Sequence, residues 1–172
     1  ANVHDDDDNP ELARILVQVD ALKVAGSVEF SRGNFSAACD YYATALSHLN
    51  AVLEWPALSA TIENRILALQ IKCLLKQARC NIRLHRYAVA VEQLTDILDI
   101  EPHHAVALYR RGQAFHGLRD YPRAIADLRQ AGTNVGAAQI AASAITHELI
   151  TIKGELKAYH KSLLSNEEIG IE

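Results

Sequence analysis

The chain has 172 residues, 49% hydrophobic and 22% charged, enough length and apolar content for one globular domain with a continuous core and too much for a disordered tail. Its net charge of −4 and pI near 6.1 lack the basic excess that nucleic-acid backbones demand, which sets DNA and RNA aside as partners. Cys39, Cys73 and Cys80 are odd in number and form no CxxC pair, so they suggest neither a disulfide framework nor a zinc site and fit a reducing compartment. No run of about 18 apolar residues and no secretory or transit signal is visible, so a cytoplasmic chain with no membrane contact in this segment is expected. The opening at Ala1 and the lack of any methionine point to a fragment of a longer protein.

Residues 1–9 are expected to be an acidic, flexible linker; the aspartate run beside His4 reads as solvated charge rather than a metal site. Asn9 or Asp8 is placed to cap a first helix that has Pro10 and Glu11 in its opening turn and runs to about Arg32, where Gly33 stops it. Ser36 is expected to cap a second helix to about Trp55, broken by Pro56. Further helices are predicted over about Thr61–Leu84, Arg86–Leu98, His103–Leu118 and Tyr121–Ala131. Gly132 and Gly136 punctuate the chain before a long amphipathic helix over about 137–166 and a tail at 167–172. In that helix Ile145, Leu149, Ile152, Leu156, Tyr159 and Leu163 recur at steps of four and three, one apolar stripe. Its first half is expected to cap the domain. Leu156, Tyr159 and Leu163 outrun that cover and either fold back on the domain or offer a face to a partner or a second copy.

A 34-residue period runs through the chain: Tyr87, Ala90, Leu94 and Ile97 align with Tyr121, Ala124, Leu128 and Ala131. Phe35, Ala38, Tyr42 and Ala45 repeat the spacing earlier, 52 residues before the middle copy, so the excess of 18 lengthens the helices around Pro56. Gly26, Ala78 and Gly112 occupy the small-residue position where paired helices cross. This pattern, with Pro102 closing the middle unit, resembles the tetratricopeptide-repeat (TPR) family over about residues 20–136. The long first connection and YRRGQA in the third unit are most similar to the repeat domains of FKBP-type immunophilin co-chaperones. The resemblance implies an all-α, right-handed α-solenoid of three helix pairs, over about 10–55, 57–102 and 103–136, with the 137–166 helix as cap. It also implies an isomerase domain upstream, outside this segment.

In that family, the first helix of each pair lines a concave groove that takes an extended peptide. The register then directs Lys23 and Ser27, Lys72, Lys76, Arg79 and Arg83, and Tyr109, Arg110, Gln113 and His116 inward. Such a basic inventory favours carboxylates, so the expected ligand is an acidic peptide segment. Relatives that bind the tails of heat-shock protein 90 or 70 carry a clamp of two lysines, two asparagines and an arginine. Lys23 and Arg110 match two of those positions, whereas Ser27, Lys76 and Val106 depart from the other three. A modified tail receptor therefore stays open beside a general interaction module, and so does dimerisation or scaffolding through the last helix.

No enzyme is expected in this segment. It has no phosphate-cradling glycine loop, no serine elbow and no cysteine–histidine pair on a plausible face. Its eight histidines do not converge: His103 and His104 diverge, and His147 with Glu148 lacks the second histidine of a zinc helix. No cofactor and no metal are expected.

Overall fold

The computed structural model describes residues 9–133, 140 and 142–169, and all seven helices among them are α-helices without any strand. They are α1 (Pro10–Ser31), α2 (Phe35–Leu53), α3 (Ala60–Arg83), α4 (Tyr87–Ile100), α5 (Ala105–Gly117), α6 (Tyr121–Thr133) and α7 (Ala142–Ile169). Residues 1–8 of the expected linker, the break at Gly136 and residues 170–172 of the expected tail lie outside the described residues. The chain forms two compact units that divide after Gln93, within α4.

In the first unit, α1 begins as expected: Asn9 Oδ1 accepts from the amides of Glu11 at 2.9 Å and Leu12 at 3.2 Å, which satisfies two orphan donors of the first turn. Gly33 ends it at φ +84°. The expected Ser36 cap is corrected: α2 starts at Phe35 behind Asn34, whose side chain makes no cap bond because its amide donates back to Glu29 at 2.7 Å. Ser59 caps α3, its Oγ accepting from Ile62 N. The extra 18 residues do lengthen two helices, since α2 has 19 residues and α3 has 24 against 13 each in α5 and α6.

This added length has its own core. Leu12, Val19, Leu49, Val52, Ile62, Ile66 and Cys73 are buried together, with Trp55 and Leu58 of the connection packed against them. A second cluster gathers Ala38, Cys39, Tyr42 and Cys80 around Phe30. Buried Asn81 ties these helices to α4 by donating to Gln93 Oε1 at 2.9 Å, while Gln93 donates to Gln77 at 2.7 Å.

In the second unit, α5 and α6 cross on Gly112. A methyl there would lie 2.8 Å from Leu128 Cγ and 3.2 Å from the Ala124 carbonyl oxygen, so only a bare Cα permits this approach. Arg111 bridges the same pair, its Nε and Nη2 donating to Asp127 at 2.7 and 2.9 Å, with Thr95 accepting from Nη1 at 3.2 Å. Ile145 and Ile152 of α7 are buried in this unit. Described α7 starts at Ala142 and continues three residues into the expected tail.

The repeat shows in the turns as well. Gly33, His85 and Arg119 all take left-handed backbone, φ +84°, +58° and +61°. In each case the next amide reaches back to the helix, Asn34 to the Glu29 carbonyl, Arg86 to Asn81 and Asp120 to Phe115. This is the six-to-one closure of a helix C-terminus, spaced like the aromatics that follow it.

Candidate functional site

In the first unit, Lys23 and Ser27 on α1 meet Lys76 on α3. Ser27 Oγ donates to the Lys23 carbonyl oxygen at 2.8 Å, one helical turn back, and accepts from Lys76 Nζ at 2.8 Å. Its remaining lone pair faces the Tyr42 hydroxyl at 3.1 Å, so the serine is saturated. Lys76 Nζ also lies 5.6 Å from the Tyr42 ring centroid, a cation–π contact that holds the ammonium in place. One of its three N–H donors is spent on Ser27, leaving two for a ligand.

Lys23 Nζ donates to exposed Asp20 at 2.8 Å. Asp20, Lys23, Ser27 and Lys76 line an open cleft of about 600 Å³, with Val24 and Val28 as its apolar wall. A smaller hollow between α1 and α2, about 430 Å³ and floored by Ala21, Leu22 and Ala25, has no lysine or arginine in its lining. Burial pushes the Tyr42 phenol pKa up, against the lowering effect of its bond to Ser27, so the hydroxyl remains a protonated donor at neutral pH.

Lys72, Lys76, Arg79 and Arg83 recur along α3 at steps of four, three and four, which places them on one face. The sole acid of α3 is Glu63, in its first turn. Among the described residues, none of these four cations is ion-paired with a carboxylate. Lys72 is exposed one turn before Lys76. Arg79 and Arg83 instead stack on aromatic rings, with guanidinium carbons 4.3 Å from the Phe30 centroid and 4.8 Å from that of Phe35.

In the second unit, Tyr109, Arg110 and Gln113 share α5 and are half-buried. Gln113 Nε2 donates to the Tyr109 hydroxyl at 3.1 Å. Burial, then the Glu148 charge, raises the Tyr109 pKa. Val106, at the expected second-lysine position, is half-buried on the same helix.

The ring of His116, expected to point inward, is bound by α7. Nδ1 lies 2.7 Å from Glu148 Oε1 and Nε2 lies 3.0 Å from Glu155 Oε2, which also accepts from the Tyr121 hydroxyl at 3.2 Å. Burial alone would depress the imidazolium, but the two carboxylates outweigh it and its pKa is raised. The same contacts lower the pKa of Glu155, the His116 bond foremost. Among the described residues no cluster of three or more histidine, cysteine or acidic ligands could hold a metal.

Along α7, Leu156 is half-buried, whereas Tyr159 and Leu163 are exposed, as is Leu164, which the stripe did not include. No described helix is long and apolar enough to cross a membrane.

Paired helices crossing on small residues, closed by matching left-handed turns, define a class: the chain has the fold of tetratricopeptide-repeat domains. It superimposes on the C-terminal TPR-containing domain of a Plasmodium falciparum FK506-binding protein with a TM-score of 0.70 at 20% identity, covering 86% of this chain and 93% of that one. It is also similar to the first TPR of Spaghetti (RPAP3) bound to the HSP90 peptide SRMEEVD, with a TM-score of 0.59 at 20% identity, over 81% of this chain and 94% of that one. In sequence, it is 29% identical over 122 residues to outer envelope protein 61 of Arabidopsis thaliana, covering 69% of this chain and 20% of the relative. The chain spans about a fifth to a quarter of the length of the curated relatives it matches. No family model matches it.

Proposed function

We propose that the chain is a protein-interaction module, of co-chaperone-like or adaptor type, that holds an acidic peptide segment against the α1 and α3 face of its first unit. The carrying observation is the Lys76 ammonium, pinned by Ser27 and Tyr42 beside Lys23 in an open cleft with an apolar wall. A pinned cation gives up less side-chain entropy when it takes a carboxylate, and Val24 and Val28 offer contact to an apolar side chain next to that carboxylate. The solved relative in complex with SRMEEVD, a peptide with three acidic residues, supports a ligand of this charge. Ser27 and Lys76 together occupy both asparagine positions of the familiar clamp, exchanging two amides for one hydrogen-bonded ammonium. A chaperone tail is then one candidate among acidic segments.

Calorimetry with an acidic peptide that ends in a free carboxylate tests this reading. Each charge-assisted bond contributes about 1.5 to 3 kcal/mol, so Lys76→Ala is expected to weaken binding about tenfold or more. Unchanged affinity in Lys76→Ala and Lys23→Ala would defeat the proposal.

The exposed stretch of α7 carries a second reading, self-association through Tyr159, Leu163 and the adjoining Leu156. Light scattering of the chain and of Tyr159→Glu/Leu163→Glu would show a dimer reduced to a monomer; monomers in both would eliminate it.

A further inference from the structure

Arg79 and Arg83 stand one turn apart on α3, each laid over a different ring of one aromatic pair. Phe30 closes α1 and Phe35 opens α2, and the two rings meet edge-on with centroids 5.0 Å apart and planes at 62°. Both arginines are exposed, and a guanidinium held over a ring by cation–π attraction still has its N–H donors to offer a ligand. Glu29, the residue before Phe30 on α1, is committed to Arg32 at 2.7 Å and Asn34 at 2.7 Å, contacts that lower its pKa, with Asn34 the larger cause. It does not neutralise the arginines.

Like charges four residues apart on a helix repel, and Lys76 precedes Arg79 by a single turn, so this stretch of α3 concentrates positive charge without internal relief. A single carboxylate offers one charge and two oxygens. A phosphomonoester at neutral pH carries close to two charges and three acceptor oxygens, which matches two pre-oriented guanidinium forks.

We infer that Arg79 and Arg83, stacked on Phe30 and Phe35, form a subsite for a phosphorylated serine or threonine in the acidic segment held by the neighbouring cleft. The subsite rests on the peptide-binding reading. It makes phosphorylation of the ligand a positive switch, since the added dianion meets two guanidinium groups already placed by their contacts with Phe30 and Phe35.

The test uses fluorescence anisotropy on the full chain with one labelled acidic heptapeptide in three forms, having phosphoserine, serine or glutamate at its centre. The phosphoserine form is expected to bind at least about tenfold tighter than the serine form, with the glutamate form between them. Arg79→Lys/Arg83→Lys keeps the charge but removes the forks and should erase most of that increment, read as the ratio of phosphoserine to serine affinity within the same variant. Phe30→Leu should reduce the increment without removing it.

Equal affinity for the serine and phosphoserine forms would overturn the subsite. So would an increment that survives the double lysine variant, or displacement of the phosphopeptide by inorganic phosphate at equal concentration, which would mark an unspecific anion site. Failure of the peptide-binding reading has a different signature, in which none of the three peptides responds to Lys76→Ala.

Discussion

Replacing Gly112 by alanine tests whether the repeat depends on the close approach of its paired helices. In an exposed helix, glycine to alanine stabilises by about 1 kcal/mol through backbone entropy. At Gly112 the new methyl would sit 2.8 Å from Leu128 Cγ, 3.1 Å from Leu128 Cδ2 and 3.2 Å from the Ala124 carbonyl oxygen. Leu128 is fully buried and the carbonyl belongs to the backbone of α6, so neither yields without moving the helix. Overpacking of this kind costs about 1 to 3 kcal/mol; after the propensity gain, a net loss of up to about 2 kcal/mol is expected. At Gly154 on α7 an added methyl would meet nothing within 4 Å, so Gly154→Ala should be stabilising by about 1 kcal/mol and serves as the internal control. Urea unfolding followed by circular dichroism should move the midpoint down for Gly112→Ala and up for Gly154→Ala. A stabilising Gly112→Ala would refute the close-crossing argument.

The Arg111–Asp127 pair should be strongly felt when halved. Asp127→Ala leaves a largely buried guanidinium without its partner, so a loss of about 3 kcal/mol is expected from urea unfolding, and a loss under about 1 kcal/mol would contradict it. Arg119 holds φ +61° at a position where the first unit has a glycine; Arg119→Gly should be neutral to stabilising by about 1 kcal/mol in the same assay, and clear destabilisation would argue against strain there. The docking of α7 should depend on pH through His116, whose raised pKa gives a contribution fully present below its ordinary value of 6.5 and lost as pH rises through the folded value. The lowered pKa of Glu155 gives a contribution present above its ordinary 4.5 and lost as pH falls through the folded value, so the contact is strongest between those two ordinary values. Amide exchange in α7, corrected for intrinsic rates, should therefore show protection falling as pH rises above 6.5, and an equal fall in His116→Gln would exclude this residue as the cause.

Much of the fold was legible because repeats encode it twice, in apolar spacing and in small residues at helix crossings. Gly26, Ala78 and Gly112 stand out in sequence since each keeps its distance from the aromatic that opens the following helix. Helix starts were less legible: Ser36 looks like a cap by residue type, but helix entry is set by the turn after Gly33, which places Asn34 there and leaves its side chain to Glu29. The site was partly legible. Lys23, Ser27 and Lys76 could be named from register alone, whereas the bond between Ser27 and Lys76 spans 49 residues and depends on how α1 and α3 pack. Phe35 was legible only as the aromatic that opens the second helix of its pair and Phe30 carried no expectation, because their contacts with Arg83 and Arg79 required three elements to be assembled. His116 could be given a groove position but not its partners, because its carboxylates lie 32 and 39 residues away, beyond any local pattern.

Whether the α1 and α3 cleft holds an acidic peptide can be read by amide chemical-shift mapping of the isotope-labelled chain during titration with such a peptide ending in a free carboxylate. The largest shifts are expected at Lys23, Val24, Ser27 and Lys76, attenuated in Lys76→Ala. Shifts concentrated instead on α7 from Leu156 to Leu163, with the cleft unmoved, would contradict peptide binding there.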